Sequence, residues 1–451
     1  PDNGEKLRQL VNQPLGDSPT AYVLQVHCPG PVGSSDLTIV DHVKLFRNDA
    51  RLRFEGRIHE QILPAIKRFG GLIEWTNIYV THSGSEHTLE ARRRKQVRDL
   101  RLLELELSEH PNHPFVLFNL GMTFADMDER EKAVDYLKRS LYVASPDESH
   151  VRKVYALLVG CLTQLGKDSE AMQILGRGQQ LFPDDSELHS RRGILEHRAK
   201  SYPGAIQANQ SAIEKRGERS YSSRDHGITG HKARHNLATV YSEIGELAHA
   251  ELQWRLALCA QPTYCEGWYG LVDALLEQEK YVTLEIEIET ARERGLPTEV
   301  IACATARLKA RRGNWAAAVD ALDTQISLDG VGLEPLRLKC QLLFENSRDT
   351  EAIAALEELC RLTPNDGAAW HNLGTAYQRT GCNALAVTCY QKSIAVRPDC
   401  VPTLTQLGYA QQALGRREAA RRVWQTAYEL APHDPAVCSA IRSGESIAAL
   451  S

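Results

Sequence analysis

The sequence has no C-x-x-C pair, no Cys/His set at zinc spacing and no run approaching 20 apolar residues. The first two absences exclude the usual zinc modules, and the third argues against a membrane span, which needs roughly 20 apolar residues. Basic side chains are also not in excess, because 53 Lys and Arg stand against 58 Asp and Glu. A net charge of −5 is the wrong sign for an electrostatic nucleic-acid binder, so we expect no nucleic-acid partner, and we expect no membrane span.

The eleven cysteines are scattered along the chain. This usage is typical of reduced thiols in a protein core, and it predicts a cytoplasmic location. Hydrophobic residues make up 42% and charged residues 25%, as in ordinary globular proteins. A length of 451 residues predicts several domains or an array of repeats.

A small residue recurs along the chain at a spacing of 34 residues, with one step of 38 and one of 45. A Leu-Gly pair and a closing proline recur in the same register. We therefore predict nine units between about residues 114 and 434. The repeated position is alanine in eight units and leucine, where alanine is expected, in one: Ala133, Ala171, Ala205, Ala250, Leu284, Ala318, Ala352, Ala386 and Ala420.

Each unit is predicted to be a helix, a tight turn and a second helix, with the small residue at the point of closest approach. The pattern W-x2-L-G-x2-Y…A-x3-Y…P, best formed over residues 367–400, resembles the tetratricopeptide repeat. The resemblance implies a mainly α fold, in which helix pairs stack into a right-handed superhelix. It also implies a protein or peptide partner bound in the groove of the array.

The repeats divide the rest of the chain into segments. Residues 89–112 form a charged linking helix, and residues 113–434 form the array. The polar insertion at 216–230 is predicted to be a surface loop. Residues 435–451 are predicted to form a terminal cap, as the end of a repeat array requires.

Residues 1–88 have a different period, with short alternating or apolar runs between Pro, Gly and Ser breaks. The pattern predicts a small α+β segment with one helix at 60–69. The segment looks too small for an independent core, and its open sheet edge leaves self-association as an alternative. The predicted strands are 21–27, 37–46, 52–58 and 72–80.

Several strings in this segment are similar to the closing half of bacterial family-2 glycosyltransferases. The family has a GT-A type fold that binds nucleotide sugars, and the similarity covers about residues 20–105. The matching strings are HVKLFR at 42–47, GRIHEQI at 56–62, WT at 75–76 and THSG at 81–84.

The opening half of that family carries the nucleotide-binding units and a D-x-D metal motif. The single D-x-D string here, residues 126–128, falls in the turn of the first repeat. Because the chain also begins at Pro1, we expect it to lack the donor-binding half. It would then need no cofactor, whereas a complete enzyme of this family would use Mn²⁺ or Mg²⁺.

The resemblance assigns roles to four residues, on the condition that the full domain is present. Glu60 would be the base that deprotonates the acceptor, and Arg57 would stabilise charge. His59 or His82 would contact the metal or the diphosphate, with His82 the metal candidate. The alternative is that His59 and Glu60 cap or hydrogen-bond the start of the 60–69 helix.

A second set of candidates lies in the repeats. Asn119, Asn236 and Asn372 each precede the Leu-Gly position or its equivalent on a first helix. An amide at this place can donate to and accept from the backbone of an extended peptide. The alternative is an asparagine that hydrogen-bonds its neighbouring unit.

The sequence thus supports two functional hypotheses. In the first, the chain is a non-catalytic tetratricopeptide scaffold attached to the acceptor-side end of a glycosyltransferase domain. In the second, it belongs to an enzyme that transfers sugar from a nucleotide donor to a protein or glycan recruited by the repeats.

Overall fold

The structure is a computed structural model that describes residues 2–12, 20–30, 37–82, 88–215, 221, 223–329 and 332–448. It divides into two compact units, Pro1–Gln278 and Glu279–Ser451. All the strands in the described residues belong to the first unit, and the second is helical. The expected fold class, mainly α with a small α+β segment in front, is confirmed.

The first unit contains one small mixed sheet. Its strands are β1 (Thr20–Pro29), β2 (Leu37–Phe46), β3 (Leu72–Thr81) and β4 (Ser223–Asp225). Their order across the sheet is β3-β1-β2-β4. β1 is parallel to β3, and β2 is antiparallel to both of its neighbours. The sheet therefore joins a segment near the start of the chain to one about 180 residues later.

Both faces of the sheet are covered. On one face, helix α2 (Leu63–Arg68) packs with Ile66 against Val23 and Val43 in a buried apolar cluster. On the other face, Leu7 and Leu10 of helix α1 (Asn3–Val11) pack against Tyr22, Leu24 and Ile78. Helix α1 was not predicted from the sequence, and it gives the small segment its second apolar layer.

The predicted strand at 52–58 is wrong. The chain there turns back on itself, with Glu55 and Gln61 exchanging two backbone hydrogen bonds of 2.9 Å. The turn needs left-handed backbone at Gly56 (φ 92°) and at His59 (φ 55°), which no extended strand allows. The predicted helix at 60–69 is present but begins only at Leu63.

The insertion at 216–230 was predicted to be a surface loop, but its residues 223–225 form strand β4. Ser223 pairs with Val40 and Asp225 pairs with Thr38, so β4 extends the sheet at the edge of β2. Arg152 donates a 3.1 Å hydrogen bond to the carbonyl oxygen of Ser223. The insertion therefore ties the sheet to the repeats.

Helices fill the rest of the first unit. A 21-residue helix leads into pairs that follow the predicted register, and a short 3₁₀ helix, His226–Thr229, follows β4. The helices are α3 (Leu89–Glu109), α4 (Pro114–Asp126), α5 (Arg130–Val143), α6 (Val151–Gln164), α7 (Asp168–Leu181), α8 (Ser186–Arg198), α9 (Tyr202–Glu214), α10 (His231–Glu243), α11 (Leu247–Ala260) and α12 (Cys265–Glu277).

The second unit continues the same alternation of helix and tight turn. Its last helix occupies the position expected for the cap and packs on the two helices before it. The helices are α13 (Tyr281–Glu293), α14 (Thr298–Arg311), α15 (Trp315–Asp329), α16 (Leu333–Glu345), α17 (Asp349–Leu362), α18 (Gly367–Arg379), α19 (Asn383–Val396), α20 (Val401–Ala413), α21 (Arg417–Leu430) and α22 (Pro435–Ala448).

The small residue of the repeat lies where the helices of a pair come closest. All nine residues of the predicted register are at most 1% exposed. The glycine on the first helix has the same role, because a Cβ on Gly374 would lie 2.7 Å from the ring of Tyr390. Close approach of the helices therefore explains the spacing of the pattern.

Candidate functional site

A cleft of about 840 Å³ opens between the sheet and the first two repeats. We call it the junction cleft. One wall consists of residues 40–44 of β2 and residues 59–63 of the turn that leads into α2. The opposite wall is formed by α4 and by residues at the start of α6. Its volume lies in the range of roughly 300–1,000 Å³ that is common for ligand sites.

Much of the lining of the junction cleft is aromatic. Phe115 and Phe118 of α4 lie on the repeat side, with Met122 one turn further along the helix. Phe46 and Phe54 lie on the sheet side with their ring centroids 5.7 Å apart, edge to face. Phe54 is 55% exposed. A cleft with this lining favours an occupant that has an apolar body.

His150, just before α6, is a deeply buried titratable group in this lining. It is 4% exposed, and its ring lies 5.5 Å from that of Phe115 and 5.3 Å from that of Phe118. Burial and the nearby His113 lower the pKa of His150 to about 4, so the imidazole is neutral at pH 7. Among the described residues its Nε2 has no hydrogen-bond partner, and its Nδ1 lies 3.7 Å from the carboxylate of Glu148.

Asn119 of α4 also lines the junction cleft and is 2% exposed. Its Nδ2 donates a 2.9 Å hydrogen bond to the carbonyl oxygen of Phe115, one turn earlier in the same helix. One N–H of the side chain is therefore used within its own helix, which leaves Oδ1 and the second N–H for an occupant.

The turn before α2 brings His59 and Glu60 to the junction cleft. Burial lowers the pKa of His59, although the nearby Asp99 opposes the shift. Glu60 is exposed. Neither residue caps the helix, because its N-cap is Ile62, which makes no side-chain capping hydrogen bond.

Arg57 and His82 are placed differently. Arg57 is 42% exposed in its side chain and pairs with Glu109 at 2.5 Å and with Glu106 at 3.4 Å, both on α3. His82 follows β3 and is exposed, and its backbone N–H donates to the carbonyl oxygen of His27. Neither lines the junction cleft. No group of three His, Cys, Asp or Glu side chains suited to a metal ion occurs among the residues that the structure describes.

The three candidate asparagines lie in three different environments. Asn119 lines the junction cleft, whereas Asn236 lines a separate cavity of about 530 Å³ near Arg191 and Glu266. Asn372 is exposed on α18 in the second unit. The D-x-D string lies at the end of α4, where Asp128 has left-handed backbone (φ 66°) and pairs with Arg130.

Sequence reasoning missed His150 and the aromatic wall. Phe115 and Phe118 belong to the first repeat and look like ordinary packing residues. His150 follows a polar stretch before a helix, which carries no periodic signal. The lining of the junction cleft shows that these side chains face the glycosyltransferase-like strings, which are far away in the sequence.

Two family models match parts of the chain, each over less than half of it. A tetratricopeptide repeat model matches residues 116–147, which confirms the recognition of this repeat. A model described as a bacterial transcriptional activator domain matches residues 282–396, helices α13–α19 of the second unit. This second match is to a different family and was not expected from the sequence.

Two curated relatives carry the glycosyltransferase likeness. They are the SPbeta prophage-derived glycosyltransferase SunS of Bacillus subtilis (strain 168) and the glycosyltransferase SunS of Bacillus phage SPbeta. Each is 30% identical over 135 residues, which is 28% of this chain. The matched part spans 30% of the length of either relative. These matches agree with the resemblance of the N-terminal part to glycosyltransferases.

Solved structures of repeat proteins also resemble the chain. YrrB, described as a TPR protein with an unusual peptide-binding site, is 15% identical, with 47% of this chain and 91% of that one covered and a TM-score of 0.30. The Cut9–Hcn1 hetero-tetramer of the APC/C is 11% identical, with 78% and 93% covered and a TM-score of 0.37. Scores this low add nothing to the case for a function. Within the described part of the chain, no helix combines the length and apolar character of a membrane span.

Proposed function

We propose that this chain is a protein-interaction scaffold that holds an acceptor polypeptide beside the acceptor-side end of a glycosyltransferase domain. The repeats supply the binding surface, and the sheet supplies the glycosyltransferase-like wall. The chain itself does not transfer the sugar. We expect this activity in the cytoplasm, because the scattered cysteines are typical of reduced thiols.

One observation carries the proposal: the His59-Glu60 turn and the repeat residue Asn119 line the same cleft. The glycosyltransferase-like strings and the first tetratricopeptide unit therefore meet at one site. A polypeptide bound along the first helices of the repeats would pass directly in front of this turn.

The contacts of Arg57 support a role in binding. A positive charge that stabilises a departing diphosphate has to face the reacting group. Arg57 instead pairs with two glutamates of α3 and lies outside the junction cleft. The candidate catalytic residues therefore do not converge in this structure.

The alternative is a glycosyltransferase activity, favoured by the relatives at 30% identity and by the exposed Glu60 at the cleft. In that function, Glu60 would accept the proton of the acceptor hydroxyl as the sugar is transferred. A nucleotide sugar and a divalent metal would have to bind close to the same turn.

Binding of an extended polypeptide tests the proposed scaffold. The probe is reduced, carboxymethylated α-lactalbumin, titrated into the full chain and followed by fluorescence anisotropy. We expect Met122→Trp, which fills the cleft, to weaken binding about tenfold, equivalent to roughly 1.4 kcal/mol. Met172→Trp on α7, outside the cleft lining, is the matched control. Equal affinity of the two variants would remove the junction cleft from the proposal.

A calorimetric titration with UDP-glucose and Mn²⁺ separates the two functions. The scaffold predicts no binding heat above that of dilution. A saturable heat that disappears in Glu60→Gln, together with transfer of glucose to the polypeptide, would support the enzyme.

A further inference from the structure

We infer that the junction cleft receives a tyrosine side chain of the bound polypeptide, whose phenol hydroxyl donates a hydrogen bond to Oδ1 of Asn119. This inference rests on the proposed function and names the kind of residue that the cleft selects. It depends on the hydrogen-bonding groups left over in the wall and on the aromatic lining around them.

The first step is the hydrogen bonding of Asn119. An asparagine side chain has two N–H donors on Nδ2 and one acceptor oxygen. Here Nδ2 is bonded to the carbonyl oxygen of Phe115 at 2.9 Å, which fixes the orientation of the amide. The carbonyl oxygen Oδ1, which can only accept a hydrogen bond, and the second N–H of Nδ2 then remain for an occupant.

The second step is His150 on the same wall. Its neutral imidazole has one N–H and one acceptor nitrogen. Its Nδ1 lies 3.7 Å from the carboxylate of Glu148, beyond hydrogen-bond distance. Nε2 is buried and has no partner within the described part of the chain. The ring therefore adds an uncharged surface to this wall, and Oδ1 of Asn119 is the acceptor that a hydroxyl of the occupant can satisfy.

The third step is the body of the occupant. Phe115, Phe118 and Met122 surround these groups on α4, and Phe46 and Phe54 lie across the cleft. Aromatic side chains pack best against another ring, edge to face or offset. Tyrosine combines a ring with a hydroxyl donor, whereas phenylalanine lacks the donor and serine lacks the ring.

The experiment compares three small probes on the wild-type full chain by ligand-observed NMR titration. They are acetyl-tyrosine amide, acetyl-phenylalanine amide and acetyl-4-methoxyphenylalanine amide. The methoxy compound keeps the ring and the oxygen but has no donor. We expect the tyrosine amide to bind about fivefold to tenfold more tightly than either of the others, as one buried hydrogen bond allows.

A pair of variants locates the effect. Asn119→Leu should reduce the preference for the tyrosine amide to about one, because the acceptor is gone. Asn209→Leu is the matched control. Asn209 is also buried and also donates from Nδ2 to a carbonyl oxygen one turn earlier, at 2.9 Å, but it does not line the cleft. It should keep the full preference.

Three results would overturn the inference: equal binding of the tyrosine and methoxy amides, no binding of the tyrosine amide at its solubility limit, or a preference that survives Asn119→Leu. If Asn119→Leu does not fold, the comparison of the three probes on the wild type still tests the tyrosine inference. If α-lactalbumin binding is lost in Met122→Trp while the three amides bind alike, only the tyrosine inference fails. If α-lactalbumin does not use the cleft, the proposed function fails.

Discussion

His150 is an uncharged polar group in the wall of the junction cleft at pH 7. Burial between Phe115 and Phe118 excludes water from His150, and the charged form loses its hydration. The ring is therefore a neutral hydrogen-bonding group at pH 7 and adds no positive charge to the apolar wall.

This burial makes stability depend on pH in a defined direction. The pKa of His150 is about 4 in the folded chain and about 6.5 in the unfolded chain. Below pH 6.5 the unfolded state therefore binds the proton first, and the unfolding free energy of the first unit falls as the pH drops towards 4. Above pH 6.5 both states are neutral and this contribution is absent. At pH 5 the loss is about 2 kcal/mol.

The measurement is urea unfolding at pH 7 and at pH 5, for the wild type and for His150→Leu. The variant should lose about 2 kcal/mol less than the wild type between the two pH values. Parallel losses in the two proteins would show that His150 takes up its proton equally in both states. Other buried histidines, such as His59 and His42, shift in the same direction and are common to both proteins.

At the scale of elements, the sequence predicts the helices and strands that have a regular spacing of apolar or small residues. The nine predicted repeat positions are buried because each serves the same close contact between helices. The prediction of a strand at 52–58 was wrong. The spacing of apolar residues fits a strand, but the left-handed backbone at Gly56 and His59 turns the chain back on itself. No period marks β4, since three residues, Ser-Arg-Asp, pair with a strand about 180 positions away.

Arg152 connects β4 to the repeats. Its guanidinium lies 2.7 Å from Asp185 and 3.4 Å from Glu187, and it also donates to the carbonyl oxygen of Ser223. All three of these side chains are nearly buried. We expect Arg152→Met to cost about 3–5 kcal/mol, because it leaves buried carboxylates with less compensation.

Hydrogen exchange tests whether the loss of Arg152 loosens the sheet next to β4. In Arg152→Met, the amides of Thr38 and Val40, which pair with β4, should exchange faster than in the wild type. Arg192→Met removes an exposed ion pair with Glu196 on α8 and should cost less than about 1 kcal/mol. If Arg152→Met loses stability but the β2 amides do not exchange faster, Arg152 does not hold β4 against β2.

For the whole molecule, helix–helix contacts in the repeats and strand pairing in the sheet join residues at different separations along the sequence. Most helices contact those one or two positions away in the chain, as expected for stacked repeats. The pairing of β2 with β4 is a long-range contact among the described residues. His59 could be proposed from a motif and Asn119 from the repeat register, but the cleft that they share is formed by residues far apart in the sequence.

The short reach of repeat contacts predicts that damage in the second unit stays there. A Cβ on Gly408 of α20 would overlap the ring of Trp424, and α20 contacts α18, α19, α21 and α22. Gly408→Ala should destabilise this region by about 1–3 kcal/mol through overpacking. Gly176→Ala on α7 is the matched control, because no atom lies within 4 Å of its added Cβ. It should stabilise α7 by about 0.5–1 kcal/mol, since alanine favours a helix over glycine.

Hydrogen exchange with mass spectrometry follows both variants. Gly408→Ala should accelerate exchange from α18 to α22 and leave α4–α9 and the binding of acetyl-tyrosine amide unchanged. Acceleration that reaches α4 would contradict the nearest-neighbour picture, because it would require coupling that stacked helix pairs do not provide. The scaffold and its cleft would then respond to lesions anywhere in the array, and the cleft could no longer be treated as a local property of the first unit.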